Sequence, residues 1–214
     1  MSAWIFLDLD GTLSNAEPGI TAAIAHALRE MDLPVPPQSE LARLIGPALQ
    51  ETFPALGAHD VDQALKHYRA HYNEGGGMYD AVLYDGALAM MAELRDRGYR
   101  LAMATAKPIA YAAKITEHFG VAALMDRQFG SELDGRNTDK RDLLGHALTE
   151  TGADPSRSFM LGDRMHDARG AIHNGITALG ALWGFGDRAE LEAAGCAAIA
   201  EAPMDIPEIV ERLS

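Results

Sequence analysis

Two carboxylates stand where chemistry is easiest to place: Asp8 and Asp10 of Asp8-Leu9-Asp10-Gly11-Thr12-Leu13, directly after Trp4-Ile5-Phe6-Leu7. An apolar run ending in acids reads as a buried strand that delivers charge at its end. Buried anions are costly unless a cation or hydrogen-bond donors compensate them, so the pair points to metal binding or acid–base work. The plainer reading is a turn, since Asp and Gly dominate turns. Other residues bear on the choice. Thr105 follows Leu101-Ala102-Met103-Ala104, Asp163 follows Phe159-Met160-Leu161-Gly162, and Lys140 opens a helical stretch.

Such a set suits phosphoryl transfer. A carboxylate such as Asp8 can attack phosphorus to give an aspartyl-phosphate, which divides hydrolysis into two easier steps. The attack brings two anions together, so a hard cation must bridge them. Mg2+ takes one or two carboxylates beside phosphate oxygens and water, and Asp8 and Asp163 are the expected donors. Asp10 is spaced to protonate the leaving oxygen and later deprotonate water. The Thr105 hydroxyl, the Ala106 backbone N–H and the Lys140 ammonium are expected to hold the phosphate, with Gly11 letting backbone approach it. Asp167 is expected to orient the metal's surroundings rather than ligate it. Lys107, Arg43 and Arg69 are candidates for contacts to the substrate.

The elements that must position these groups alternate. Apolar runs at 4–8, 100–105, 128–130, 158–163, 177–183 and 197–200 read as strands. Helical patterns lie between them at 86–97, 109–119, 140–151, 167–174 and 188–194, with a last helix to Leu213. Gly98, Gly120 and Gly152 stand at helix ends. Strict alternation predicts an α/β fold: a doubly wound, Rossmann-like parallel sheet with an inserted α-helical cap. The core takes residues 1–14 and 81–214, and the cap 15–80. In the cap, a helix from Pro18 to Met31 precedes a short one capped by Ser39, and Asp60 with Gln63 opens another through Tyr72. Gly75-Gly76-Gly77 then reads as a flexible end. Ligands of such sheets bind beyond the carboxyl ends of the strands, where Asp8, Asp10, Thr105 and Asp163 converge. A turn alone does not explain that convergence.

Composition narrows the partners. A chain of 214 residues with 48% apolar residues can bury one sizeable core. A net charge of −13 argues against nucleic acid or an anionic membrane as partner, so positive charge for an anionic substrate must be supplied locally. The single cysteine, Cys196, excludes an internal disulfide and reads as a buried structural thiol. With no secretory leader and no long apolar segment, the expected location is the cytoplasm.

The residues Asp8-Leu9-Asp10-Gly11-Thr12-Leu13, Ala102-Met103-Ala104-Thr105, Lys140 and Gly162-Asp163-Arg164-Met165-His166-Asp167 resemble, in order, the four motifs of haloacid dehalogenase superfamily phosphatases. The resemblance implies a Mg2+-dependent phosphatase with a helical cap inserted after the first motif. It also implies that the Asp10 backbone carbonyl is a metal ligand beside Asp8 and Asp163. Ser131-Glu132-Leu133-Asp134-Gly135-Arg136, Leu182-Trp183-Gly184-Phe185-Gly186, Leu44-Ile45-Gly46-Pro47-Ala48-Leu49 and Tyr68-Arg69 resemble the phosphoglycolate phosphatase and 5′-nucleotidase-like branch. That branch acts on small phosphorylated metabolites. Tyr84-Asp85-Gly86 departs from the family's usual Tyr-Pro-Gly.

Other readings compete. A phosphomutase of the same superfamily would use the same nucleophile and acid–base pair. Gly184-Phe185-Gly186-Asp187-Arg188-Ala189 fits a Gly-x-Gly-x-x-Ala dinucleotide fingerprint and would imply an NAD or FAD oxidoreductase, but it stands late in the chain. A dehalogenase usually lacks the second aspartate, and a phosphonatase needs a cap lysine, where only Lys66 stands. His67 and His71, spaced i and i+4, could chelate a metal but are expected on the surface.

Overall fold

The computed structural model describes residues 3–46 and 49–214, and the chain divides into two compact units, Met1–Ser14 with Leu83–Ser214, and Asn15–Val82. The smaller unit is helical: α1 (Glu17–Glu30), α2 (Gln38–Ala42), α3 (Leu49–Ala55) and α4 (Val61–Arg69). Several local expectations shift here. Asp60 caps α4 by accepting from the Gln63 N–H, as its spacing predicts. The α-helix, however, gives way at Ala70 to a π-helical turn through Glu74, where Tyr72 stacks on Tyr68 with ring centroids 5.2 Å apart. Helix α2 begins after Pro37, so Ser39 lies inside it rather than capping it. The triple glycine leads into a 3-10 turn at Gly77–Tyr79, not a flexible end. His67 meets Gln63, while His71 turns instead to His26, ring centroids 4.9 Å apart. Residues Pro47 and Ala48 of the Leu44–Leu49 resemblance lie outside the described residues.

The larger unit is built on a sheet of β1 (Trp4–Leu7), β2 (Arg100–Pro108), β3 (Arg127–Ser131), β4 (Phe159–Gly162), β5 (Thr177–Ala181) and β6 (Ala198–Ala200). Its spatial order is β3-β2-β1-β4-β5-β6, and every described pairing is parallel. The strands are short apolar runs because both faces are covered by helices: α5 (Ala87–Asp96), α6 (Ile109–His118), α7 (Lys140–Thr151), α8 (Met165–His173), α9 (Arg188–Ala194) and α10 (Ile206–Leu213). All four side chains of β1 are buried, and Trp4 and Phe6 share one apolar cluster with Leu143, Leu144, Met160 and Ala168.

Register is what positions chemistry. Leu7 stands level with Met103 on β2 and with Leu161 on β4. The next residues on these three neighbouring strands are therefore Asp8, Ala104 then Thr105, and Gly162 then Asp163. The chain order reverses at β1, which makes this edge a topological switch point. Three differences from the sequence reading matter. Strand β2 runs on to Pro108, with a register slip between Thr105 and Pro108. Strand β5 stops at Ala181, and α8 starts at Met165 rather than Asp167. Cys196 is half-buried rather than buried, and burial pushes its thiol up to about 11. No described helix is long and apolar enough to cross a membrane.

Candidate active site

Asp8, Asp163 and Asp167 each offer a carboxylate oxygen to one point, the three oxygens lying within 4.8 Å of one another. Asp8 comes from the end of β1, Asp163 from the end of β4, and Asp167 from the first turn of α8. Lys140 binds two of them, Asp8 and Asp167, from the start of α7, where Asp139 caps the helix. Its ammonium lies 3.0 Å from Asp8 Oδ1, 2.6 Å from Asp167 Oδ1 and 2.8 Å from the Ala104 carbonyl oxygen. Burial works against that charge, but Asp167 and Asp8 outweigh it and hold the ammonium above its ordinary range.

The two inner acids differ in how they are satisfied. Asp167 is fully engaged, one oxygen on Lys140 and the other accepting from the Arg164 N–H at 3.2 Å. Asp163 is completely buried; its Oδ2 accepts from the Phe185 N–H at 2.8 Å and its Oδ1 from the Thr12 hydroxyl at 3.4 Å. Burial, then the charges of Asp167 and Asp8, push its carboxyl well above the usual range. Crowded hard oxygen donors of this kind match the chemistry of a divalent cation.

Asp10 stands apart from this cluster. Its Oδ2 is 2.8 Å from the Lys107 ammonium, while its Oδ1 is buried without a partner. Burial raises its carboxyl and Lys107 pulls it back. Lys107, a candidate substrate contact from sequence, therefore binds an acid of the same edge. Thr105 is buried at 2% exposure, its hydroxyl oxygen accepting from the Lys107 N–H at 3.3 Å. Ala106 is half-buried beside it, its carbonyl accepting from the Ser131 hydroxyl at 2.8 Å. Arg43 and Arg69 are exposed on the helical unit.

The glycines serve a different purpose from the one their sequence suggests. A Cβ on Gly11, whose φ is +85°, would lie 2.2 Å from Asp163 Oδ2. The missing side chain at Gly11 thus makes room for Asp163. A Cβ on Gly184 would lie 2.3 Å from Asp163 Cβ, and one on Gly186 2.0 Å from the Asp163 carbonyl oxygen. The fingerprint-like Gly184-Phe185-Gly186 is filled by Asp163, which leaves no approach for a pyrophosphate. Trp183 joins this strap by donating its indole N–H to the Thr12 carbonyl at 2.9 Å. Sequence reasoning assigned no role to Thr12, Trp183 or Phe185; small residues straight after a buried strand were the available signal.

A profile of the Haloacid dehalogenase-like hydrolase family matches residues 5–181. A 5′-nucleotidase of Pseudomonas aeruginosa is 36% identical over 192 residues, which covers 88% of this chain and 86% of that protein. Tyrosine-protein kinase PtkA of Mycobacterium tuberculosis is 37% identical over 85% of this chain, which spans 62% of that protein's length. Among solved structures, a predicted phosphatase from Clostridium acetobutylicum superposes with a TM-score of 0.93 at 31% identity, covering 99% of each chain.

Proposed function

From the premise that the chain belongs to the haloacid dehalogenase-like hydrolase family and is a phosphatase, we propose a Mg2+-dependent phosphomonoesterase that hydrolyses a small phosphorylated metabolite through an aspartyl-phosphate on Asp8. The observation that carries this reading is the meeting of Asp8, Asp163 and Asp167 oxygens within 4.8 Å, with Lys140 bound to two of the three acids.

Asp8 Oδ1 is held by Lys140, which fixes the carboxylate for attack on phosphorus. Asp10 supplies a proton to the departing ester oxygen and takes one from the water that later attacks the phosphoenzyme. The Thr105 hydroxyl and the Ala106 N–H, at the end of β2, bind the transferred group's oxygens. Asp8 and Asp163 with the Asp10 carbonyl would hold Mg2+, and Asp167 steadies Lys140. When bound, the cation neutralises the charge of nucleophile and phosphate as they approach.

The substrate class is a phosphoglycolate- or nucleoside-monophosphate-like metabolite, with Lys107, Arg43 and Arg69 as candidates for its remaining contacts. The similarity to a 5′-nucleotidase places nucleoside monophosphates first in a test panel. The helical unit corresponds to the inserted cap domain of this reading, and the working compartment is the cytoplasm. Hydrolysis of an aryl phosphate with and without chelator, beside Asp8→Asn, tests the core of the reading. Asp8→Asn is expected to lose roughly 10⁴-fold or more in kcat. Chelator-resistant turnover, or an Asp8→Asn enzyme as active as the parent, would overturn it.

A further inference from the structure

Lys107, a candidate substrate contact from sequence, instead spends its ammonium on an acid of the site, 2.8 Å from Asp10 Oδ2. Its place is built. Beyond Thr105, paired with Gly130, the register between β2 and β3 slips, and Pro108 faces Ser131. Ala106 and Lys107 occupy the bulge, a device that re-aims side chains next to active sites. The Ser131 hydroxyl pins it at the Ala106 carbonyl, 2.8 Å away. A Cβ on Gly130 would lie 2.7 Å from the Lys107 carbonyl oxygen, so only glycine lets β3 come this close. The side chain that emerges is 8% exposed and ends 2.8 Å from Asp10 Oδ2. The other oxygen, Oδ1, is buried and unpartnered.

We infer that Lys107 is a positioning residue for Asp10, its ammonium holding Oδ2 so that Oδ1 is the oxygen that handles the proton. The inference rests on the phosphomonoesterase reading and says which atom does the acid–base work. The terminal torsion of an aspartate is broad and roughly two-fold, so an untethered Asp10 can exchange its oxygens. A charge-assisted bond to Oδ2 removes that freedom. In the first half-reaction an Asp8 oxygen bonds to phosphorus and the ester P–O bond breaks. Its electron pair stays on the leaving oxygen, which takes the proton from Asp10 Oδ1 and leaves Asp10 a carboxylate. In the second, water bonds to phosphorus and gives its proton to Asp10 Oδ1. The P–O bond to Asp8 breaks with its pair returning to Asp8.

The test is a series of phosphate monoesters from activated aryl to simple alkyl, given to the parent, Lys107→Met, Lys107→Arg and Asp10→Asn. Leaving groups that depart as stable anions need little protonation, and alkoxides need it most. Lys107→Met is expected to lower kcat on alkyl esters by roughly 10²-fold while aryl esters change little, with KM nearly unmoved. Lys107→Arg, which can still donate to Oδ2, restores part of the loss. Adding Lys107→Met to Asp10→Asn costs nothing further, because the two act as one unit. An equal loss on every ester, or a rise in KM alone, would overturn the inference in favour of a structural role or a substrate contact. Should Lys107→Met fail to fold, Lys107→Arg and Lys107→Gln carry the same comparison of slopes. Failure of the underlying reading shows separately, as an Asp8→Asn enzyme that still turns over.

Discussion

The site holds two buried lysines that do opposite things with a carboxylate. Lys140 reaches in from a capped helix start and divides its three donors among Asp8, Asp167 and the Ala104 carbonyl. Lys107 leaves a strand bulge and takes one oxygen of Asp10, the other remaining unpartnered. One lysine neutralises a crowd of acids; the other makes two oxygens of a single acid unequal. The contrast teaches that charge balance and positioning are separable jobs in one small site. Around Lys140 a lost cation leaves buried charge exposed to its own kind. Around Lys107 it leaves an orientation undefined.

The comparison breaks most visibly at Lys140. Replacing it by Met strands Asp8 and Asp167 without their cation, and loss of one partner of a buried pair costs about 3–5 kcal/mol. Urea unfolding is expected to show that loss in full, with turnover abolished. Lys107→Met is expected to lose much less stability and to act on proton transfer. A stability cost at Lys107 equal to that at Lys140 would erase the distinction.

A smaller effect is expected at Gly184. A methyl group there would displace Asp163, which it would meet at 2.3 Å. Disturbing the support of a metal ligand typically costs about 10–100-fold in affinity. Titration of Gly184→Ala with Mn2+, read by calorimetry, is expected to show weakened binding with Lys140 and Asp8 intact. Unchanged affinity would mean that the strap does not aim Asp163.

The smallest effect is in pH. Asp163 is held above the usual carboxylate range by burial first and by Asp167 and Asp8 next. Without cation, the native state therefore binds more protons than the unfolded chain from about pH 4 up to that raised value. Stability falls as pH rises through this interval. A bound cation favours the ionised acids and displaces protons, so Mg2+ should raise Tm more at pH 8 than at pH 5. An equal or larger rise at pH 5 would place the cation elsewhere.

Much of this site could be read directly from the chain. Asp8, Thr105 and Asp163 each follow an apolar run, and parallel strands buried on both faces leave just that signature. Lys140 opens a helical stretch that its periodicity marks, which is also a local signal. The bulge at Ala106 and Lys107 had no such mark, because it depends on Ser131 and Gly130 of the neighbouring strand. The Gly184-Phe185-Gly186 loop misled in a physical way: glycine reports that something comes close, not what. In the helical unit, the π turn at Ala70–Glu74 follows a tyrosine stack and replaces an α-helix that periodicity alone would have continued.

The amino-acid sequence by itself determined the alternating elements, the strand ends and the identity of the acids and of Lys140, because periodicity, capping and apolar runs are local properties. Only the tertiary structure decided which oxygen meets which cation. Those pairings arise from strand register, a bulge and missing methyl groups between segments far apart in the chain. They are settled by packing at the scale of a single atom, which no spacing along the chain can encode.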